Sequence, residues 1–597
     1  MNANVRKNLI SLLICVVIIF VSAGLAHGVE SDFGKVSVTH INFSTGDGLV
    51  MAGKVYRPIE ATAKNPLPAV LGLHGYQNDK ETAGDLAVEL ARRGFVVFTP
   101  DVYGHGESQG YVDWATMSGV QYTYDYMKTL PFVDVKNLGV FGHSMGAMET
   151  IALGAVNPDI KALNPQCGPD GTPEMKNLLL TQAKFEEFRG FRENQINTTN
   201  LPANPDRIKA FGLTDAVAYN TSFTNSAGNL RRVDLVSSVH PGVTFNAAAV
   251  AGSIDWFTQV LKPGQAPTIP SNQQVFMWKE LFMLIALLTT MASTIFLLNL
   301  LLASAWFAPI ATAMPSKYYV TGWKWWGPAL ISIAIAAVTY PLLTSLSRIG
   351  GNIYQWMPFF KMEMTSGIAV WWLGVGIISA IMLFFWYRSN SKKNGITMHD
   401  LGLSFDETKT NLRWDLIGKT ALVAGIFLAW MYTLVAISQW LFGIEFRFIW
   451  SFMRVFPSPI RFFYFWVYLI PALAFFLTAG GIAMFGQLRQ KEYSTPAQTQ
   501  IIWWLKNCVL GVGGLIIVWL VQYVPYFMGK GPGFELMGMP QFTEMWPLML
   551  FIIVPEFMII LYFMTHYYRK TGKIYLTVMM AASWAVWFSV AGTVLSK

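Results

Sequence analysis

A serine hydroxyl attacks a carbonyl only when it stands clear of its own backbone beside a base. The stretch Gly142-His143-Ser144-Met145-Gly146 has that form: the apolar run Leu138 to Phe141 leads into it, and a helical pattern opens at Ala147. Strand, sharp turn and helix in that order put Ser144 at the tip, with a glycine two residues to either side to allow close packing. Such a serine needs a histidine to take its proton and a carboxylate to hold that histidine's tautomer. After Ser144 the globular part of the chain keeps one histidine, His240, where the strand pattern from Asp234 runs into a loop at Pro241-Gly242. Glu186 and Glu187 end an apolar strand that starts at Asn177, and Asp170 stands in a Gly-Pro-Asp-Gly turn before it. All three are candidates for the acid.

These side chains sit at the ends of alternating strands and helices. Lys35 to Pro58 alternates about Thr45-Gly46-Asp47-Gly48, a hairpin pattern. Pro68 to Leu73 is a short apolar run of the kind buried in a parallel sheet, and Lys80 to Arg93 has helical period. Phe95 to Pro100 reads as a strand, while Trp114 to Leu130 and Ala247 to Leu261 read as helices. The alternation predicts an α/β fold, a doubly wound and mostly parallel sheet with its site at the carboxyl ends of the strands.

Three stretches in order, LHGYQNDK at Leu73 to Lys80, PDVYGHGES at Pro100 to Ser108 and GHSMG at Gly142 to Gly146, carry a resemblance. From about Val36 to Lys262 the chain resembles the α/β-hydrolase superfamily, and within it the serine-aminopeptidase-like and dienelactone-hydrolase-like branch. The resemblance implies a triad in the chain order serine, acid, histidine, with Ser144 as nucleophile and His240 as base. Matching residue by residue places the acid at Glu186, where the family usually carries Asp before Glu, and Glu187 becomes its neighbour. Glu for Asp departs from the pattern and lengthens the arm that must reach the imidazole. The resemblance also implies an oxyanion hole made by the backbone N–H groups of Tyr76 and Met145. His74, His105, His143 and Asp101 flank these turns and are expected to tie them together. Only Pro169 to Lys176 fills the usual lid position between the sixth and seventh strands, which excludes a large lid there; Gly190 to Asn229 is a candidate wall of the cleft.

The remainder of the 597 residues has another character. At 53% hydrophobic and 15% aromatic the whole chain is too apolar for a soluble protein of this length. From Glu30 to Ser271 there are 24 Asp and Glu against 19 Lys and Arg, leaving 24 basic and 11 acidic residues elsewhere, mostly in short loops between apolar runs. The basic balance therefore marks membrane topology and no nucleic acid partner is expected. Arg6-Lys7 precede an uncharged run from Leu9 to Ala26, a signal anchor or signal peptide. Past the Pro-rich Pro263 to Asn272 come eight apolar runs, from Leu281–Phe307 to Ile574–Leu595, each long enough to span a bilayer. The expected division is residues 1–28 signal segment, 29–262 hydrolase domain, 263–277 linker and 278–597 membrane domain. With the N-terminus cytoplasmic, inner loops hold about 14 Lys and Arg and outer ones about 7, which places the hydrolase domain outside, at the plasma membrane. Glu556, in Ile553-Val-Pro-Glu-Phe557, falls near mid-membrane and is a candidate for ion, proton or substrate handling, or a structural carboxyl behind a proline.

Cys15 and Cys508 lie in apolar runs and Cys167 stands alone in the globular part, so no disulfide is expected there. No His, Cys, Asp or Glu set there has ligand spacing, and neither a metal nor a cofactor is expected. The leading expectation is a membrane-anchored serine hydrolase acting on a small-molecule or lipid ester, thioester or amide. The alternatives are an acyltransferase serving a membrane-presented acceptor and a transporter or receptor with a non-catalytic hydrolase-fold domain. The spans are expected to shape access to the site rather than its chemistry.

Overall fold

A computed structural model of the chain describes residues 3–112, 117–216, 218–315, 318–346 and 359–596. Helix α1 (Ala3–Glu30) comes first, followed by the hairpin β1 (Val36–Ser44) and β2 (Val50–Pro58). Then β3 (Leu67–Leu73), α2 (Lys80–Ala91), β4 (Val96–Pro100), α3 (Val120–Thr129), β5 (Val133–His143), α4 (Met145–Val156), β6 (Ile160–Gln166) and β7 (Leu178–Phe185) alternate. After α5 (Pro205–Phe211) and the short β8 (Phe223–Thr224), β9 (Leu230–Val239) and α6 (Ala247–Leu261) end this half. The helical pattern read from Trp114 begins at Val120, and residues 113–116 lie outside the described residues.

The strands form one sheet in the order β1-β2-β4-β3-β5-β6-β7-β9-β8. The five pairings from β4 through β3, β5, β6 and β7 to β9 are parallel, whereas β1, β2 and the edge strand β8 run antiparallel to their neighbours. This is the expected α/β-hydrolase sheet. Its central strands are near-continuous apolar runs because helices cover both faces: Val70 packs with α2 and α6, and Leu71 with the opposite layer. The excursion from Gly190 to Asn229 is more ordered than a loop, since it holds α5 and supplies β8 to the sheet edge.

The rest is helical: α7 (Phe276–Leu302), α8 (Trp323–Ser345), α9 (Glu363–Asn394), α10 (Trp414–Phe442), a small hairpin β10 (Phe446–Phe448) with β11 (Trp450–Met453), α11 (Pro459–Phe475), α12 (Pro496–Phe527), α13 (Met545–Thr571) and α14 (Ile574–Gly592). Helix α11 continues as a π-helix from Phe476 to Gln487. Together with α1, nine helices among the described residues are long and apolar enough to cross a membrane. Helix α1 packs on α7, burying Ile19, Ala23 and Ala26, and Asn299 Nδ2 donates to Asn8 Oδ1 at 3.0 Å.

The segment between the halves is held rather than loose. Arg93 donates to the carbonyls of Ile269, Pro270 and Gln273, and Glu89 Oε1 accepts the N–H groups of Val275 and Phe276 at 2.6 and 3.0 Å.

Candidate active site

Ser144 ends β5 and caps α4 with φ 57° and ψ −112°, a conformation that costs a residue with a side chain about 1–3 kcal/mol. Two close approaches enforce it. A Cβ on Gly142 would lie 2.1 Å from Gly146 O, and one on Gly146 would lie 2.4 Å from Leu73 O. The spacing of glycine and serine thus follows from the packing of α4 against β5 and β3. Met145 opens α4, so its N–H has no acceptor within the helix. Tyr76, three residues after β3, lines the same cavity as Ser144 and Met145.

The register of β7 with β9 pairs Phe185 with Val239, so the residues that follow, Glu186 and His240, leave adjacent strands side by side. His240 Nδ1 lies 2.7 Å from Glu186 Oε1. The two adjacent carboxylates are thereby distinguished: Glu187 instead accepts the backbone N–H of His240 through Oε2 at 2.8 Å and the Tyr523 hydroxyl through Oε1 at 2.7 Å. Asp170 belongs elsewhere, 2.9 Å from Arg207. Glu186 is fully buried and also accepts the Phe188 N–H at 3.0 Å. Burial first, then the neighbouring Glu186, pushes Glu187 up to about 7, with His240 and the Tyr523 hydroxyl opposing the rise. The His240 ring lies parallel to Phe191 at 5.8 Å and against Phe188 at 4.5 Å. Neither Ser144 Oγ nor His240 Nε2 has a hydrogen-bond partner among the described residues; in free enzymes such contacts are commonly long and close on substrate binding.

The flanking histidines and Asp101 tie turns together. His74 accepts the Val102 N–H through Nε2 at 3.1 Å, and Asp101 accepts the N–H groups of Lys80 and Glu107 as well as the Lys80 ammonium. His143 Nε2 sits 2.9 Å from His240 O, and burial, followed by the adjacent His240, holds its imidazole well below the usual range. One grouping escaped the spacing of the sequence. His143, Cys167 and His240, from the ends of β5, β6 and β9, bring one possible ligand atom each within 4.8 Å of one another, all buried. The group shares the imidazole that faces Glu186, so at His240 holding a metal and serving as a base exclude one another.

The cavity that Ser144 and His240 open onto has a volume of about 260 Å³. Half its wall comes from the helical region: Ile368 on α9, Trp450 on β11, Phe588 on α14 and a stripe on α13 that reaches Glu556. The helical region also grips the loops around the site. The Tyr76 hydroxyl donates to Glu363 at 2.5 Å, Tyr526 donates to Glu186 O at 2.5 Å, and the Val594 N–H donates to Gln77 at 3.0 Å. Asp79, the N-cap of α2 directly after the Tyr76 turn, meets Arg454 and Arg447. Although burial pushes its carboxyl up, the two guanidinium groups outweigh that and hold it well below the usual range. The helical region thus supplies wall and clamp to the site, while the triad candidates and oxyanion donors all lie before Lys262. Sequence reasoning missed Tyr523, Tyr526 and Arg454 as site residues; all three stand among apolar neighbours or in a short loop, with no motif to mark them.

Residues 64–257 match the family model described as serine aminopeptidase, S33. A carboxylesterase of Bacillus subtilis (strain 168) is 30% identical over 153 residues, 24% of this chain and 60% of the relative. A serine hydrolase-like protein of Dictyostelium discoideum is 29% identical over 117 residues, 18% of this chain and 31% of the relative. The chain thus spans about a third and three fifths of the lengths of these curated relatives. Among solved structures a dienelactone hydrolase from Anabaena variabilis is similar, at 16% identity and TM-score 0.27 over 38% of this chain and 99% of its own.

Proposed function

We propose that this chain, whose first half is an α/β-hydrolase domain of the serine-aminopeptidase-like kind, is a membrane-embedded serine hydrolase working through an acyl-enzyme. The observation that carries the reading is the 2.7 Å approach of Glu186 Oε1 to His240 Nδ1, with His240 and Ser144 facing one cavity. Ser144 Oγ attacks the carbonyl carbon of an ester, thioester or amide as its proton passes to His240 Nε2. Glu186 holds the imidazole with Nδ1 protonated and stabilises the imidazolium. The N–H groups of Met145 and Tyr76 receive the oxyanion. Collapse breaks the bond to the leaving group, which takes the proton from His240, and a water activated by the same imidazole releases the acid. The buried His143, disfavoured as a cation, leaves His240 as the group that carries the proton.

In this reading the nine long helices span the plasma membrane and the hydrolase domain lies on its extracytoplasmic face. Charge supports it: of about seven Lys and Arg in the outer segments, Arg447, Arg454 and Arg461 are buried, so the exposed cations favour the inner side more than the raw count does. Helix α1 is retained as an anchor, supported by its packing on α7 and by Glu30 at its end, 3.0 Å from Lys54. Transfer of the acyl group to an alcohol or amine presented by the bilayer is the second reading, favoured by the helical wall of the cavity.

The test uses a membrane-impermeant fluorophosphonate on intact spheroplasts. Labelling should occur without lysis and vanish in Ser144→Ala, while the variant still inserts. Label retained by that variant removes Ser144 from the role, and label gained only on lysis reverses the topology.

A further inference from the structure

The cavity has a direction. Its wall on α13 is made by Met545, Leu548, Met549, Ile552, Ile553 and Glu556, a stripe at spacings of three and four that is one face of a helix. From Met545 in the first turn of α13, which lines the same cavity as Ser144, to Glu556 the stripe runs eleven residues, about 16 Å at 1.5 Å per residue. Ile368 and Phe588 close it from α9 and α14. The lining is aliphatic, aromatic and methionine-rich until the floor, where Glu556 has no hydrogen-bond or ion-pair partner among the described residues. Gln77, Asn78 and Asp79 bring polar side chains to the end of the cavity that holds Ser144.

We propose, resting on the serine-hydrolase reading above, that this furrow is the acyl slot of the enzyme: it takes a single unbranched acyl chain of medium length, and Glu556 is the stop that sets that length. The length of the furrow sets the count: about 16 Å of helix rise is spanned by roughly ten to twelve carbons of an extended chain whose C–C bonds are about 1.5 Å. One face of α13, closed by Ile368 and Phe588, gives the furrow the width of a single chain. Each methylene that enters leaves water for an apolar wall. A chain long enough to press its methyl on Glu556 would cover a carboxyl that has no partner among the described residues, which opposes further lengthening. The substrate class is therefore a single-chain acyl ester, thioester or amide that draws its tail down between α9, α13 and α14 while its carbonyl stays at Ser144.

The experiment measures second-order rates of Ser144 modification on the full-length protein in nanodiscs, with alkyl fluorophosphonates from ethyl to hexadecyl. This readout does not depend on whether water or another acceptor takes the acyl group. The rate should climb by up to about fourfold per methylene, from ~0.8 kcal/mol each, and turn over near ten carbons. Glu556→Leu should move the turnover to longer chains and Glu556→Gln should leave it in place. Ile552→Trp, which fills the slot partway, should move it to shorter chains. A flat profile with labelling still lost in Ser144→Ala overturns the slot, as does an optimum that none of the three substitutions moves. Labelling that survives Ser144→Ala at every chain length overturns instead the reading on which the slot rests.

Discussion

Buried charge is matched in two ways, inside the sheet-bearing half and across its boundary with the helices. Inside the sheet-bearing half Glu89 receives Arg92 and Arg93 from the next turn of its own helix region, and Asp101, after β4, receives Lys80 from the start of α2. Across the boundary, buried cations of the helical half share acids of both halves. Arg454 and Arg447 meet Asp79 and also Glu445, and Arg461 donates to Gly104 O at 3.3 Å. A domain that carried its own site and used the helices only as an anchor would have no reason to place these partners hundreds of residues away. The difference teaches that the chemistry is written in one half while its geometry is shared by both.

The comparison breaks first at the carboxylates. Glu186→Gln removes the group beside His240 Nδ1 and should lower kcat/KM by about 10³ to 10⁴, the scale on which loss of the orienting acid acts in a triad. Glu187→Gln, which touches His240 through its backbone N–H, should cost far less. Steady-state kinetics on both variants decides it, and the reverse order would transfer the orienting role to Glu187.

That pair also marks how far the sequence could be read. The strand–turn–helix around Ser144 was legible because close packing at Gly142 and Gly146 forbids a Cβ, so composition carries the geometry. The sheet was legible because parallel strands buried on both faces leave unbroken apolar runs such as Val70 to Leu73. Which of two adjacent glutamates faces the imidazole was not fixed by spacing, since neighbours at a strand end differ by side-chain direction and by what packs above them. Tyr523 and Tyr526 were invisible for another reason: in a membrane-length helix a tyrosine near the end reads as an interfacial ring. Only the fold turns those hydroxyls onto Glu187 and the Glu186 carbonyl. The same holds for Glu556, which sequence placed near mid-membrane and the fold places in the wall of the cavity.

A second test compares ion pairs of the two kinds. Arg454→Met takes one of two guanidinium partners from the buried Asp79, leaving Arg447 at 3.5 Å, and one from Glu445, and should destabilise the full-length protein by about 3–5 kcal/mol, the scale on which breaking a buried pair acts. Lys128→Met breaks a pair whose side chains are 34% and 38% exposed and should cost less than about 1 kcal/mol. Thermal unfolding in one detergent reads both. Adding Asp79→Asn to Arg454→Met should recover part of the loss, because the buried carboxylate that lost one of its two guanidinium partners is then neutral. Equal small shifts for both pairs would mean that the boundary between the halves is weakly built.

The finest test reads the boundary through pH. Glu187, raised to about 7 by burial and by Glu186, titrates in the working range, and its ionised form is the one that accepts from both His240 N–H and Tyr523 OH. A donor to the ionised form lowers a carboxyl's pKa, so removing one raises it. Tyr523→Phe should therefore move Glu187 higher, leaving less of it ionised at a given pH and loosening the loop that holds His240. Tyr523 acts here as a positioning residue, through Glu187. The expected cost is about 1 kcal/mol, the usual worth of one buried hydrogen bond, but it should be unevenly spread over pH. At pH 8 both proteins hold Glu187 largely ionised and kcat/KM should differ by less than about tenfold. At pH 6 the variant should fall further behind, with the acidic limb of its profile shifted upward. A ratio of wild type to variant that stays constant from pH 6 to 8 would reduce Tyr523 to a packing residue, and would leave the long-range clamp on the histidine loop to the backbone alone.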